Sequence, residues 1–311
     1  EALDRVRDHW GADAIVVQEV VRREGDRILV PPGQKAGQNL RRAGEDLAQG
    51  GVALAAGTRC GPAELGLIAS LGIAEAVVQR RLRVAFFSTG DEIASIGRPL
   101  APGQVYDSNR YTLFGALDRL GCDLLDMGVV PDDPAALENA FRDASLAADV
   151  IVTSGGVSVG EADFIRDMMS RMGKVAFWKL AIKPGRPMAF GRIGDAVLFG
   201  LPGNPVAVLV TFYQFVQDAL LQMMGVSPLP AAQRFHVPCA VAIRKQPGRC
   251  EFMRGRLLHD GGRLAVTLAG AQGSGVLRSM SEADCFIVLP EDCADIRPGD
   301  DVLVEPFAGL V

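Results

Sequence analysis

A chain of 311 residues is longer than one hydrophobic core usually organises, so two or three domains are expected. Hydrophobic residues at 49% and charged residues at 22% exclude disorder over most of its length. The 32 Lys and Arg against 37 Asp and Glu leave a net charge of -5, which excludes a large basic surface and makes nucleic acid a poor partner.

Residues 1–10 mix both charges along a helical pattern and lack the apolar centre of a signal peptide. Residues 14–21 and 27–30 read as strands, 33–44 is a polar glycine-rich stretch, and 62–71 reads as a helix opening with Pro62. From residue 82 onward strands and helices alternate. The β-rich run 82–88 ends at Gly90, and 109–120 repeats apolar residues at helical spacing before stopping at Gly121. A strand over 122–130, an amphipathic helix over 134–148, a strand over 149–153 and a helix over 162–172 follow. Short apolar strands separated by helices predict a mostly parallel sheet with helices on both faces, an α/β domain spanning residues 82–226.

The stretch 196–217 carries no charge and is long enough to span a bilayer, but Leu201-Pro202-Gly203-Asn204-Pro205 divides it into a strand and a helix, so no membrane is expected. After Gly225, Pro228 and Pro230 mark a linker and helical periodicity stops. Residues 254–258 and 264–268 flank His259-Asp260-Gly261-Gly262-Arg263, a hairpin turn, and 229–311 reads as a C-terminal antiparallel β-domain. Six cysteines without a CxxC pair or histidine at zinc-ligand spacing fit a reducing cytoplasm.

In an open α/β sheet, ligands bind beyond the carboxyl ends of the strands. Those ends are Thr89-Gly90-Asp91-Glu92, Pro131-Asp132-Asp133-Pro134 and Ser154 to Asp163, the last of which contains Gly155, Gly156, Ser158 and Glu161. Glycine lets backbone N–H groups approach a phosphate, and Asp91, Glu161 and Asp163 are candidate ligands for an accompanying Mg²⁺. Helix N-capping is the competing role for such acids, Asp132 and Asp133 above all. Lys179, Lys183 and Arg186 place three cations within eight residues, the positive charge that an anionic substrate needs.

These segments, together with Tyr106-Asp107-Ser108-Asn109-Arg110, Phe177 to Gly185 and Gly200-Leu201-Pro202-Gly203-Asn204-Pro205, resemble the molybdopterin molybdenumtransferase family from about Gly11 to the C-terminus. The resemblance implies insertion of molybdate into adenylylated molybdopterin with release of AMP, assisted by a divalent metal, usually Mg²⁺, in a homodimer with shared sites. By its motifs, Asp163, Glu92 and Asp132 are expected to be catalytic. Lys179, Lys183, Arg186, Gly155, Gly156, Ser158 and Asn204 are expected to bind substrate, as are Arg254 and, reaching a partner subunit's cleft, Arg41 and Asp46.

Two departures from the family pattern stand out. Ala207 follows GLPGNPV where the family commonly has serine, which leaves backbone amides and lysines to hold molybdate. Residues 1–9 resemble the family's first helix while 11–19 resemble a segment much further along, so 1–81 reads as an incomplete N-terminal and linker region and Trp10 and Gly11 are not expected to be neighbours. The alternatives are a molybdopterin adenylyltransferase, against which the C-terminal domain and KLAIKPG argue, and a non-catalytic scaffold, for which no partner-binding sequence is visible.

Overall fold

The computed structural model describes residues 11–156 and 168–307, which form two compact units, Glu1–Ala76 and Val77–Val311. In the first, β1 (Arg22–Glu24) and β2 (Arg27–Leu29) form an antiparallel hairpin. Helix α1 (Pro62–Ser70) starts at a proline, and the Gly61 N–H donates to Glu64 Oε2 at 2.9 Å. The strand expected over 14–21 is not formed. Its backbone groups pair with a turn instead, Ile15 N–H to the Gln38 carbonyl and the Asn39 amide to the Ile15 carbonyl, and Gln18–Val20 is a 3-10 turn. β-Branched residues favour extended backbone, but without a partner strand no ladder forms. No described residue of this unit is buried.

The second unit contains the α/β sheet. Its elements are β3 (Arg83–Thr89), the short parallel pair β4 (Ile93–Ala94) and β5 (Val105–Tyr106), α2 (Ser108–Leu120), β6 (Asp123–Val130), α3 (Pro134–Ala147) and β7 (Val150–Ser154). There follow β8 (Gly173–Lys179), the two-residue β9 (Ile182–Lys183), β10 (Pro187–Ile193), β11 (Ala196–Leu201) and α4 (Pro205–Met223). The sheet order is β6-β3-β7-β11-β10-β8. The first four strands are parallel, as expected, while β10 pairs antiparallel with β11 on one side and with the edge strand β8 on the other.

Neighbouring side chains alternate across this sheet and fill two cores. Phe86, Val152 and Phe199 pack under α2 and α4 with Leu117, Phe212 and Leu220. Phe87, Ile151 and Leu198 pack on the other face with Phe141 of α3 and Met168. At the amino ends, Arg80 grips Asp149 with two bonds of 2.7 Å, and Asp149 also accepts the Arg83 N–H.

The C-terminal part has β12 (Phe235–Pro238), β13 (Cys250–Asp260), β14 (Arg263–Leu268), the one-turn α5 (Arg278–Ser281), β15 (Cys285–Leu289) and β16 (Asp301–Pro306). Sheet order is β12-β16-β15-β13-β14, antiparallel throughout this path. The hairpin expected at 259–263 forms, with Gly261 and Gly262 both at positive φ (54° and 82°). Helix α4 has a mean hydropathy of 1.3 over its most apolar 18 residues, yet it is a core helix. Val206 to Thr211 are all buried, and Val206, Leu209 and Val210 pack on Phe252, Phe286 and Val288 of the C-terminal sheet. Its middle turn, Phe212–Val216, is π-helical and brings Tyr213 to within 6.3 Å of the Phe286 ring.

Candidate active site

The parallel strands β3, β7 and β11 end on one side of the sheet, and there a cleft of about 780 Å³ opens. Its floor is a set of buried polar residues. Asp107 caps α2 by accepting the Arg110 N–H, and its Oδ1 also accepts the Ser88 hydroxyl at 3.0 Å. The Asn109 amide donates at 2.7 Å both to Ser154 Oγ and to the Gly203 carbonyl. A carbonyl cannot donate, so the amide nitrogen must face Gly203 and the orientation of Asn109 is fixed. This side chain ties the end of β7 to the loop before α4.

Gly155 and Gly156 follow β7 with φ of 92° and 67° and line the cleft. A Cβ on Gly155 would collide with the Thr89 carbonyl, and its N–H donates to the Leu201 carbonyl at 3.1 Å, so the loop is pressed between two strand ends. Glu92, Asp132, Lys183, Arg186 and Asn204, all candidates from the sequence, line the same cleft. Ala207 also lines it and brings no hydroxyl. One backbone amide there is already spent, because Val206 N–H donates to the Ser274 carbonyl at 3.0 Å.

Other expected residues lie elsewhere. Asp91 is exposed, and its Oδ1 accepts the Asp132 N–H at 3.2 Å. Lys179 is an exposed residue at the end of β8, opposite Pro187, and is not part of the cleft lining. Arg41 and Asp46 are exposed loop residues of the first unit. Ser158, Glu161 and Asp163 lie outside the described residues, as does most of the helix expected over 162–172. Among the described residues no group of three His, Cys, Asp or Glu side chains could hold a metal ion.

Arg254 is neither a surface residue nor a wall of the cleft. It is 1% exposed and lies behind the loop that forms the wall. Its guanidinium donates to Ser279 Oγ and to the carbonyls of Ala271 and Gly273, while its backbone N–H donates to Gln272 Oε1. Gln272, Gly273 and Ser274 then line the cleft. Burial lowers the Arg254 pKa to about 10, which leaves it charged at neutral pH.

Sequence reasoning misses Asn109 as a site residue, together with Arg249 and Gln272, whereas Gly273 and Ser274 belong to a segment, 273–276, that resembles the family. Asn109 sits in a quoted motif, but at the start of a helix its role resembles capping. Arg249 and Gln272 come from the C-terminal domain, and nothing in their local sequence marks them.

A mostly parallel α/β sheet with a glycine loop and cations at its carboxyl edge, walled by a second β-domain, defines an enzyme class that acts on an anionic ligand. Residues 85–222 match the family described as a probable molybdopterin binding domain, 236–307 the MoeA C-terminal region (domain IV), and 10–72 the MoeA N-terminal region (domain I and II). The molybdopterin molybdenumtransferase of Haemophilus influenzae is 43% identical over 303 residues, covering 97% of this chain and 75% of its own. That of Nostoc sp. is 34% identical over 303 residues, covering 94% and 69%. A solved molybdopterin biosynthesis MoeA protein from Pyrococcus horikoshii superposes with a TM-score of 0.74 at 28% identity, covering 95% of this chain and 72% of that one. The chain belongs to the molybdopterin molybdenumtransferase family.

Proposed function

We propose that this chain inserts molybdenum into molybdopterin by binding adenylylated molybdopterin in the cleft, taking up molybdate and releasing AMP. The observation that carries this is the convergence, in a chain of this family, of the Gly155-Gly156 loop with Lys183 and Arg186 at the carboxyl edge of the sheet. Cleaving the phosphoanhydride builds negative charge on phosphate oxygens. With the Gly155 N–H spent on the Leu201 carbonyl, the Gly156 N–H and the two cations stabilise that charge without reorganising. Asn109 holds the glycine loop against the 203–205 loop, and Arg254 fixes the wall opposite.

The carboxylates at this edge are hard oxygen donors, the chemistry that suits Mg²⁺. Asp91, Glu161 and Asp163 would hold that ion, which supplies charge neutralisation at the phosphate when bound. Glu92 and Asp132 act beside it in the cleft. Lys179 supports anion binding from outside the cleft lining, and Ser158 binds substrate.

Arg41 and Asp46 serve the cleft of a partner subunit in a homodimer. The first unit supports this reading, because none of its described residues is buried and Val20, Ile28, Val30 and Val52 are at least half exposed, apolar surface that needs cover. Three parts, 1–81, 82–226 and 229–311, make up this chain. The cytoplasm is the compartment, in keeping with six free cysteines.

The test is AMP release from adenylylated molybdopterin with and without molybdate, in wild type and in Asp163→Asn. Release that depends on molybdate and falls ~10²-fold or more in the variant, with unchanged thermal melting, is expected. Wild-type turnover in Asp163→Asn removes that residue from the mechanism.

A further inference from the structure

Strand β9 is only two residues long and lies parallel on the start of β13, with Cys250 opposite Ile182 and Glu251 opposite Lys183. The Cys250 N–H donates to the Ala181 carbonyl at 2.8 Å, so the register is held from before the pair. The consequence is an ion pair between the two domains. Lys183 Nζ donates to Glu251 Oε2 at 3.1 Å, and Glu251 is 4% exposed whereas the lysine side chain is about half exposed. Glu251 belongs to the C-terminal domain and Lys183 to the KLAIK segment.

Lys183 sits between two cavities. One is the cleft, and the other is an adjoining groove of about 1030 Å³ lined by Arg244, Lys245, Arg249, Glu251 and Asp295 among others. Asp295 spends Oδ1 on the Lys245 backbone N–H, and among the described residues Arg244, Lys245 and Arg249 make no ion pair. Asp295 is exposed, so Glu251 is the buried carboxylate of this rim and the one that pairs with a cation.

We propose that Glu251 is a positioning residue for the insertion reaction, holding Lys183 at the rim of the cleft and cancelling much of its charge. The proposal rests on the reading that the cleft takes anionic substrate. An ammonium held by a buried carboxylate offers an oriented N–H to an oxyanion without the full attraction of a free cation. Binding stays directional, and the anionic product leaves. The C-terminal domain thus tunes the chemistry of the α/β domain through one side chain, besides supplying a wall.

The test uses the whole chain and Glu251→Gln, which keeps the shape and an acceptor oxygen for Lys183 but removes the charge. AMP and molybdate, each alone, are titrated calorimetrically. At least one should bind roughly ten-fold more tightly at low salt, from the loss of one negative charge near the anion, and the gap should close as salt rises. The tightening should be smaller when Lys183→Ala is added, because no freed ammonium can then turn to the anion and only the direct loss of the negative charge remains. In turnover, kcat should fall while KM does not rise, a split that a merely structural role does not produce.

Unchanged or weaker binding of both anions, or tightening as large with Lys183→Ala as without it, overturns the proposal. If Glu251→Gln does not fold, Glu251→Asp keeps the charge but withdraws it by one methylene, and it should lower kcat without tightening either anion. Wild-type kcat in that variant overturns the proposal as well. AMP release independent of molybdate in the wild type would instead overturn the functional reading, while the affinity cycle would still report on Glu251 and Lys183.

Discussion

Replacing Gly155 by alanine tests the geometry of the glycine loop most directly. Two costs are separable. The first is conformational, since Gly155 has φ of 92° and an L-residue held there costs roughly 1–2 kcal/mol. The second is steric, because the new Cβ meets the Thr89 carbonyl, a backbone atom in a buried strand end that cannot swing away like a flexible side chain. Overpacking of that kind adds about 1–3 kcal/mol. Gly121, the C-cap of α2, supplies an internal control, with φ of 84° and nothing within 4 Å of its would-be Cβ. Gly121→Ala should therefore show the first cost alone. Urea unfolding should place Gly155→Ala below Gly121→Ala by about 1–3 kcal/mol. If the loop moves to relieve the collision, molybdate-dependent AMP release should fall ~10²-fold, the scale expected when a binding group is displaced by about 1 Å. Equal stability of the two variants together with full activity of Gly155→Ala would show that the loop is not pressed against β3, and the argument from close approach would fail.

Two further outcomes follow from the same geometry. Asn109→Ala removes bonds to Ser154 and Gly203 in a buried site and should cost ~2–3 kcal/mol in denaturant unfolding, with loss of turnover; a cost within ±0.5 kcal/mol, the scale of a neutral surface substitution, would refute the tie. The Arg80 guanidinium holds the Asp149 carboxyl down at about 2, below its unfolded range near 4. The folded pKa is depressed, so this stabilisation is complete above about pH 4 and is lost as pH falls toward 2. Arg80 is largely exposed, so solvent screens the pair and the effect on stability is small. Unfolding measured between pH 2 and 5 should lose that part of its pH dependence in Asp149→Asn, and an unaltered profile would contradict the assignment.

Much of the α/β frame is legible because buried parallel strands must be apolar on both faces. Val84-Ala85-Phe86-Phe87 and Val150-Ile151-Val152 could be little else, and their ends point to the cleft. The antiparallel edge is harder to see. In β8 and β10, Trp178 and Phe190 are exposed while Lys174 and Arg192 alternate with apolar residues, so neither segment reads as a core strand. Residues 14–21 mislead in the opposite direction, since their β-branched run finds a turn as partner in place of a strand. Side chains that act across the fold leave no local mark at all. Glu251 meets Lys183 across 68 residues of sequence, and Asn109 reaches Gly203 across 94.

Those long-range contacts also explain why the C-terminal domain is not an appendage that could be removed without harm to the site. Leu209 and Val210 of α4 are buried against Phe252 and Phe286, so taking the β-domain away would expose apolar surface on the helix whose first turn borders the cleft. The same removal would free the Val206 N–H from Ser274, release Lys183 from Glu251 and unpair β9. Arg254 belongs to this logic. A guanidinium buried at 1% exposure is costly unless its donors are satisfied, and here it is satisfied by the carbonyls of the wall it supports. The wall cannot move without leaving that charge unpaired. The active-site shape is therefore set jointly by two domains, with hydrogen bonds and an ion pair at the rim and an apolar core behind them.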